Sequence, residues 1–113
     1  MMPPTPLEAT HSDMEPPKFT RLVFEHGINE RDEAEALMRG YRSHVWVEMS
    51  DGARHRVTFF DPVRLTQELE QEASLGRPFV GEPGLIVIPE VTREYMETAA
   101  RTLADEGFFS PPH

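Results

Sequence analysis

The sequence predicts an α+β domain, a two-layer sandwich with a four-stranded antiparallel sheet carrying its helices on one face. Three observations lead there. Residues 45–59 hold two runs rich in β-branched and aromatic residues around Ser50-Asp51-Gly52, which together read as a β-hairpin. Two more short apolar runs, around residues 19–24 and 84–88, have strand length and strand composition. Between and after them lie three stretches with apolar residues at helical spacing and capping residues at their starts.

Taken in order, Phe19-Thr20-Arg21-Leu22-Val23-Phe24 forms the first predicted strand, with Leu22 and Phe24 on one face and Arg21 and Val23 on the other. Asn29 is a good N-cap for the helix that follows, and Asp32 stands at its third position to accept from the freed amides. Ala34, Leu37 and Met38 make its apolar stripe, and Gly40 stops it.

The hairpin fixes its own register. A two-residue Asp51-Gly52 loop would pair Val47 with Arg56 and mix apolar residues with arginines on both faces. A three-residue loop places Ser50 and Asp51 in a type I turn and Gly52 in the left-handed region. It pairs Val45 with Val57, Val47 with His55 and Glu48 with Arg54. One face then reads Val45, Val47, Met49, Ala53, His55, Val57, Phe59, and the other Trp46, Glu48, Arg54, Arg56, Thr58. A one-residue slip moves every side chain to the opposite face, so the clean partition selects the bulged turn.

Asp61-Pro62 follows at once and starts the second helix, a carboxylate cap with proline at the first helical position. Leu65, Leu69 and Ala73 form its expected buried stripe, and Gly76 and Pro78 end it. Gly84-Leu85-Ile86-Val87-Ile88 between Pro83 and Pro89 reads as a short strand buried on both sides. Thr92 caps the last helix, whose inward face is Met96, Ala99, Ala100 and Leu103. Gly107 ends it, and Phe108-Phe109 are expected to fold back onto the core.

The first six elements, strand-helix-strand-strand-helix-strand, follow the β-α-β-β-α-β order of ferredoxin-like domains, with a C-terminal helix added. If Leu85 to Ile88 is buried on both sides, part of the open sheet face needs a cover, from the last helix or from a second subunit.

The chain has 113 residues, enough for one modest core. Residues 1–17 hold five of the eleven prolines and little to bury, and residues 110–113 are similar. Both read as disordered tails around a single domain at 18–109. The formal net charge of −9 disfavours nucleic acid and anionic membrane surfaces as partners. With no cysteine there is no disulfide framework, thiolate metal site or cysteine nucleophile. No apolar run reaches the ~20 residues of a membrane span, and no signal-peptide pattern opens the chain, so a cytoplasmic protein is expected.

Chemical motifs are sparse. No two histidines have the close helical spacing of a metal site, and His55 on an apolar strand face is the pattern of a hydrogen-bonded residue at the core margin. There is no nucleophile elbow and no phosphate loop. Gly81-Glu82-Pro83-Gly84 would repel an anion through Glu82 and lacks an amide at Pro83. The carboxylates of residues 30–35 and 68–72 have the pattern of solvated helix faces. No metal and no cofactor is therefore expected.

Trp46 stands apart, because the register leaves a large aromatic among Glu48, Arg54 and Arg56 on the outer face. The bland account has Arg56 stack on the indole under a covering helix or tail. The functional account makes Trp46, Glu48, Arg54 and Arg56 a partner-binding patch, since tryptophan and arginine are enriched at the energetic centres of interfaces. The sequence thus predicts a non-catalytic interaction or regulatory domain, toxin neutralisation being one such role. It would bind a protein partner or itself as a homodimer. The alternative is a small enzyme or ligand-binding domain using His44, His55 and Asp61.

Overall fold

A computed structural model describes residues 16–109. Four strands and three helices form an α+β fold in the order β1 (Phe19–Phe24), α1 (Glu30–Arg39), β2 (Tyr41–Met49), β3 (Arg54–Phe60), α2 (Pro62–Ser74), β4 (Leu85–Val87), α3 (Arg93–Asp105). The expected tails lie outside the described residues, apart from Pro16 and Pro17, which share a surface groove with Ala104 to Gly107 at the end of α3.

The hairpin adopts the bulged register. Val45 pairs with Val57, Val47 with His55 and Glu48 with Arg54. The Met49 amide donates to the Ala53 carbonyl at 2.9 Å, and Gly52 sits at φ 88°, where a β-branched residue would be strained. Asp51 accepts from the Ala53 amide at 2.9 Å, which closes the turn.

The strand order departs from expectation. The sheet runs β1-β2-β3-β4, with β1 antiparallel to β2, β2 antiparallel to β3, and β3 parallel to β4. In a ferredoxin-like sheet every neighbouring pair of strands is antiparallel and β1 lies inside the sheet. Here the sheet is mixed and β1 is an edge. Two connections explain this. β2 starts beyond the end where β1 stops, since Phe24 is already opposite Val45, so α1 returns the chain to that same end and the neighbours run antiparallel. α2 carries the chain back along β3, and a strand entered that way runs parallel.

One face of the sheet holds the core. Leu22, Phe24, Val45, Val47, Met49, Val57, Phe59 and Ile86 meet Ala36 of α1 and Met96, Ala100 and Ala104 of α3, together with Ile88, Val91 and Phe109. Capping follows the sequence. Asn29 and Asp32 form a reciprocal capping box on α1, Asp61 caps α2 ahead of Pro62, and Thr92 caps α3.

Four expected burials are corrected. In α1 the buried residue is Ala36, while Leu37 is half exposed and Met38 is 85% exposed. α2 buries no residue, and Leu69 lies 42% exposed. In β4 only Ile86 is buried. Val87, on the other face, is 47% exposed, so the strand is an edge covered on one side. Of the final pair, Phe109 folds back and is buried, whereas Phe108 is exposed.

The helices do not share one face either. α1 and α3 pack on the core side. Phe60 points the other way; it is buried without joining the core cluster. It stacks on Tyr41 at 5.8 Å between ring centres, and the Arg64 guanidinium of α2 lies 4.4 Å above the Tyr41 ring. α2 therefore opens on the outer face and shields its Phe60 end.

Candidate functional site: the outer face of the hairpin

Away from α2, the outer face carries two cross-strand rows. In the first, Arg21, Glu48 and Arg54 stand abreast on β1, β2 and β3. Arg21 Nε donates to Glu48 Oε2 at 3.0 Å, and Arg54 Nε donates to Glu48 Oε1 at 3.0 Å. The two guanidinium groups bonded to Glu48 hold its carboxyl below the ordinary glutamate value. In the second row, Val23, Trp46 and Arg56 stand abreast. Val23 and Trp46 are half-buried and Arg56 is exposed.

The strand alternation that sends Val45, Val47 and Val57 inward necessarily sends Trp46, Glu48, Arg54 and Arg56 outward. The four residues singled out from the sequence are thus brought together on neighbouring strands. Cation–π pairs join Arg42 to Phe24, Arg64 to Tyr41, Arg77 to Phe79 and Arg101 to Phe19, and none of them involves Trp46. Among the described residues Arg56 takes part in no ion pair.

Next to Arg56 a cleft of about 240 Å³ opens under α2. Thr58 and Phe60, both buried, lie on it with Tyr41, Arg64, Glu68 and Glu82. Sequence reasoning missed this cleft, because it depends on α2 crossing to the outer face. The signal available was Thr58-Phe59-Phe60, where bulky or β-branched residues occupy both faces at the end of β3.

His44, His55 and Asp61 have separate surroundings. His55 points to the core side and stacks on Phe109 at 5.4 Å. Asp61 accepts from the Arg64 amide at 2.7 Å as the cap of α2. His44 sits in a strand irregularity at φ 59°, with Ser43 Oγ 3.0 Å from its Nδ1 and Glu25 4.0 Å from its Nε2. His44 lines the cleft beside Arg56 and also a groove between α1 and β2, which it shares with His26 at φ 64°. Among the described residues no three histidine or carboxylate side chains converge as metal ligands, and no helix is long and apolar enough to cross a membrane.

The fold and this face define a small α+β protein with a mixed sheet whose hairpin, among the described residues, carries no helix over its outer side beyond α2. Comparison with protein-family models, with curated proteins and with solved structures finds no match to this chain.

Proposed function

We propose that this is a non-catalytic interaction or regulatory domain of the cytoplasm that acts by holding a protein chain, either a second copy or another protein, on the outer face of its hairpin. Toxin neutralisation is one role of this kind. Trp46, Glu48, Arg54 and Arg56 carry the contact. The observation behind the reading is the half-buried Trp46, set beside the exposed Arg56 and outside every cation–π pair of the described chain. Tryptophan and arginine are both enriched among the residues that carry most of the binding energy at interface centres.

The test compares the wild type with Trp46→Ala, both as baits in extract of the source cells and by molecular mass in solution. The expected result is one associating protein, or a second copy, that leaves with Trp46→Ala while the far-UV spectrum stays native. Truncating a central tryptophan of an interface costs on the order of 2 kcal/mol or more. A wild type that stays monomeric at high micromolar concentration and captures nothing sensitive to Trp46 overturns the reading.

A further inference from the structure

The charge on the outer face narrows the partner. The hairpin rows carry Arg21, Arg54 and Arg56 against Glu48 alone, an excess of two positive charges in a chain whose formal net charge is −9. The adjoining cleft, counted without Arg56, carries Arg64, paired with Glu68 at 2.8 Å, and Glu82, so it lowers the positive excess of the outer face to one. Within the excess the arginines are unequal. Arg21 and Arg54 are both committed to Glu48 at 3.0 Å. Arg56 has no ion pair among the described residues and lies directly across from Trp46.

We infer that the outer face takes an acidic segment of a different protein, one that sets an apolar side chain on Trp46 and an Asp or Glu carboxylate on Arg56. This rests on the outer face being the contact surface. Two arguments favour such a partner. A carboxylate matches the planar fork of a guanidinium with two parallel hydrogen bonds. A second copy docked symmetrically would bring two positive faces together, which like-charge repulsion opposes.

The test uses the full chain. A random dodecapeptide library is selected on the wild type, and the selected peptides are titrated while the fluorescence of Trp46, the one tryptophan of the chain, is followed. The expected peptides are enriched in Asp and Glu beside an apolar residue and change the Trp46 emission. They weaken by about tenfold or more with Arg56→Glu and weaken again as salt is raised. Arg56 is exposed, so Arg56→Glu is expected to keep the wild-type melting temperature, and Arg56→Gln gives a milder second variant.

Peptides that change the Trp46 signal without acidic enrichment, or that bind Arg56→Glu equally well, overturn the acidic partner and leave the contact face standing. Binding to Trp46→Ala, which lacks the fluorophore, is followed by the anisotropy of a dye-labelled peptide, and peptides indifferent to both Trp46→Ala and Arg56→Glu overturn both. A single-stranded oligothymidylate that binds more tightly than the peptides at equal salt also overturns the inference, in favour of nucleic acid.

Discussion

Gly84 packs its α-carbon against the main chain of Arg56. A side-chain carbon at Gly84 would collide with the Arg56 carbonyl oxygen and lie 2.9 Å from Val57 Cα. The closeness has a purpose in the fold, because the Gly84 carbonyl accepts from the Thr58 amide at 3.1 Å and starts the parallel β3–β4 ladder. Gly84 also lies at φ 58°. Gly84→Ala therefore meets backbone, which cannot rotate away. Urea denaturation is expected to show a loss of about 2 kcal/mol or more. A loss below about 0.5 kcal/mol would mean that β4 docks some other way.

Gly52 makes the informative contrast. Its backbone is at φ 88°, but nothing lies within 4 Å of where a side chain would begin. The cost of a substitution there is conformational alone. Gly52→Val is expected to lose about 1 kcal/mol or more, and Gly52→Asn less, because asparagine tolerates the left-handed region. Equal losses for the two variants would contradict the turn assignment.

Both glycines bear on how much of the fold was legible in the sequence. The hairpin register was legible because a period of two admits only two solutions and one of them mixes charges into the core face. The caps Asn29, Asp61 and Thr92 were legible because a cap is a local arrangement of side chain and amide. Strand order was not. It depends on where α1 and α2 deliver the chain, which the helix sequences do not encode. The phase of α1 was misread for a related reason. Ala36 is small enough to pack into the core cluster, and one turn on Gly40 is buried against Asp61 and Arg64 at the start of α2. That leaves Leu37 and Met38 toward solvent, although they are the more apolar residues. For the site, the outward side of Trp46 and its neighbours was legible from alternation, whereas the cleft beside Arg56 required the placement of α2.

Glu48 gives the sheet a pH response of definite sign. Its carboxyl is held below the ordinary value of 4.5, first by the hydrogen bond from Arg21 and then by that from Arg54. A depressed carboxyl contributes stability above its unfolded pKa, and the contribution disappears as pH falls through the folded one. The melting temperatures of the wild type and Glu48→Gln are therefore expected to differ most near neutral pH. The difference should shrink once the pH drops below 4.5. A difference that is constant through acid pH would mean that the two arginines do not favour the charged form. The pair is exposed, so the effect is expected to be small and to diminish in high salt.

The last prediction separates the two large helices. Met96 of α3 is fully buried in the core cluster, whereas Leu69 of α2 is 42% exposed and α2 buries nothing. The sequence alone ranks these residues as equals, each a large member of the apolar stripe of its helix. Burial ranks them far apart. Met96→Ala removes contacts on every side and leaves a cavity, for an expected loss of about 2–5 kcal/mol. Leu69→Ala gives up a surface that water already reaches, and its expected loss is under about 1 kcal/mol. Denaturation of the two variants side by side decides the matter. If Leu69→Ala proves as costly as Met96→Ala, α2 must pack against more than Tyr41 and Phe60, and the outer face is less open than the geometry of Arg64 over Tyr41 implies.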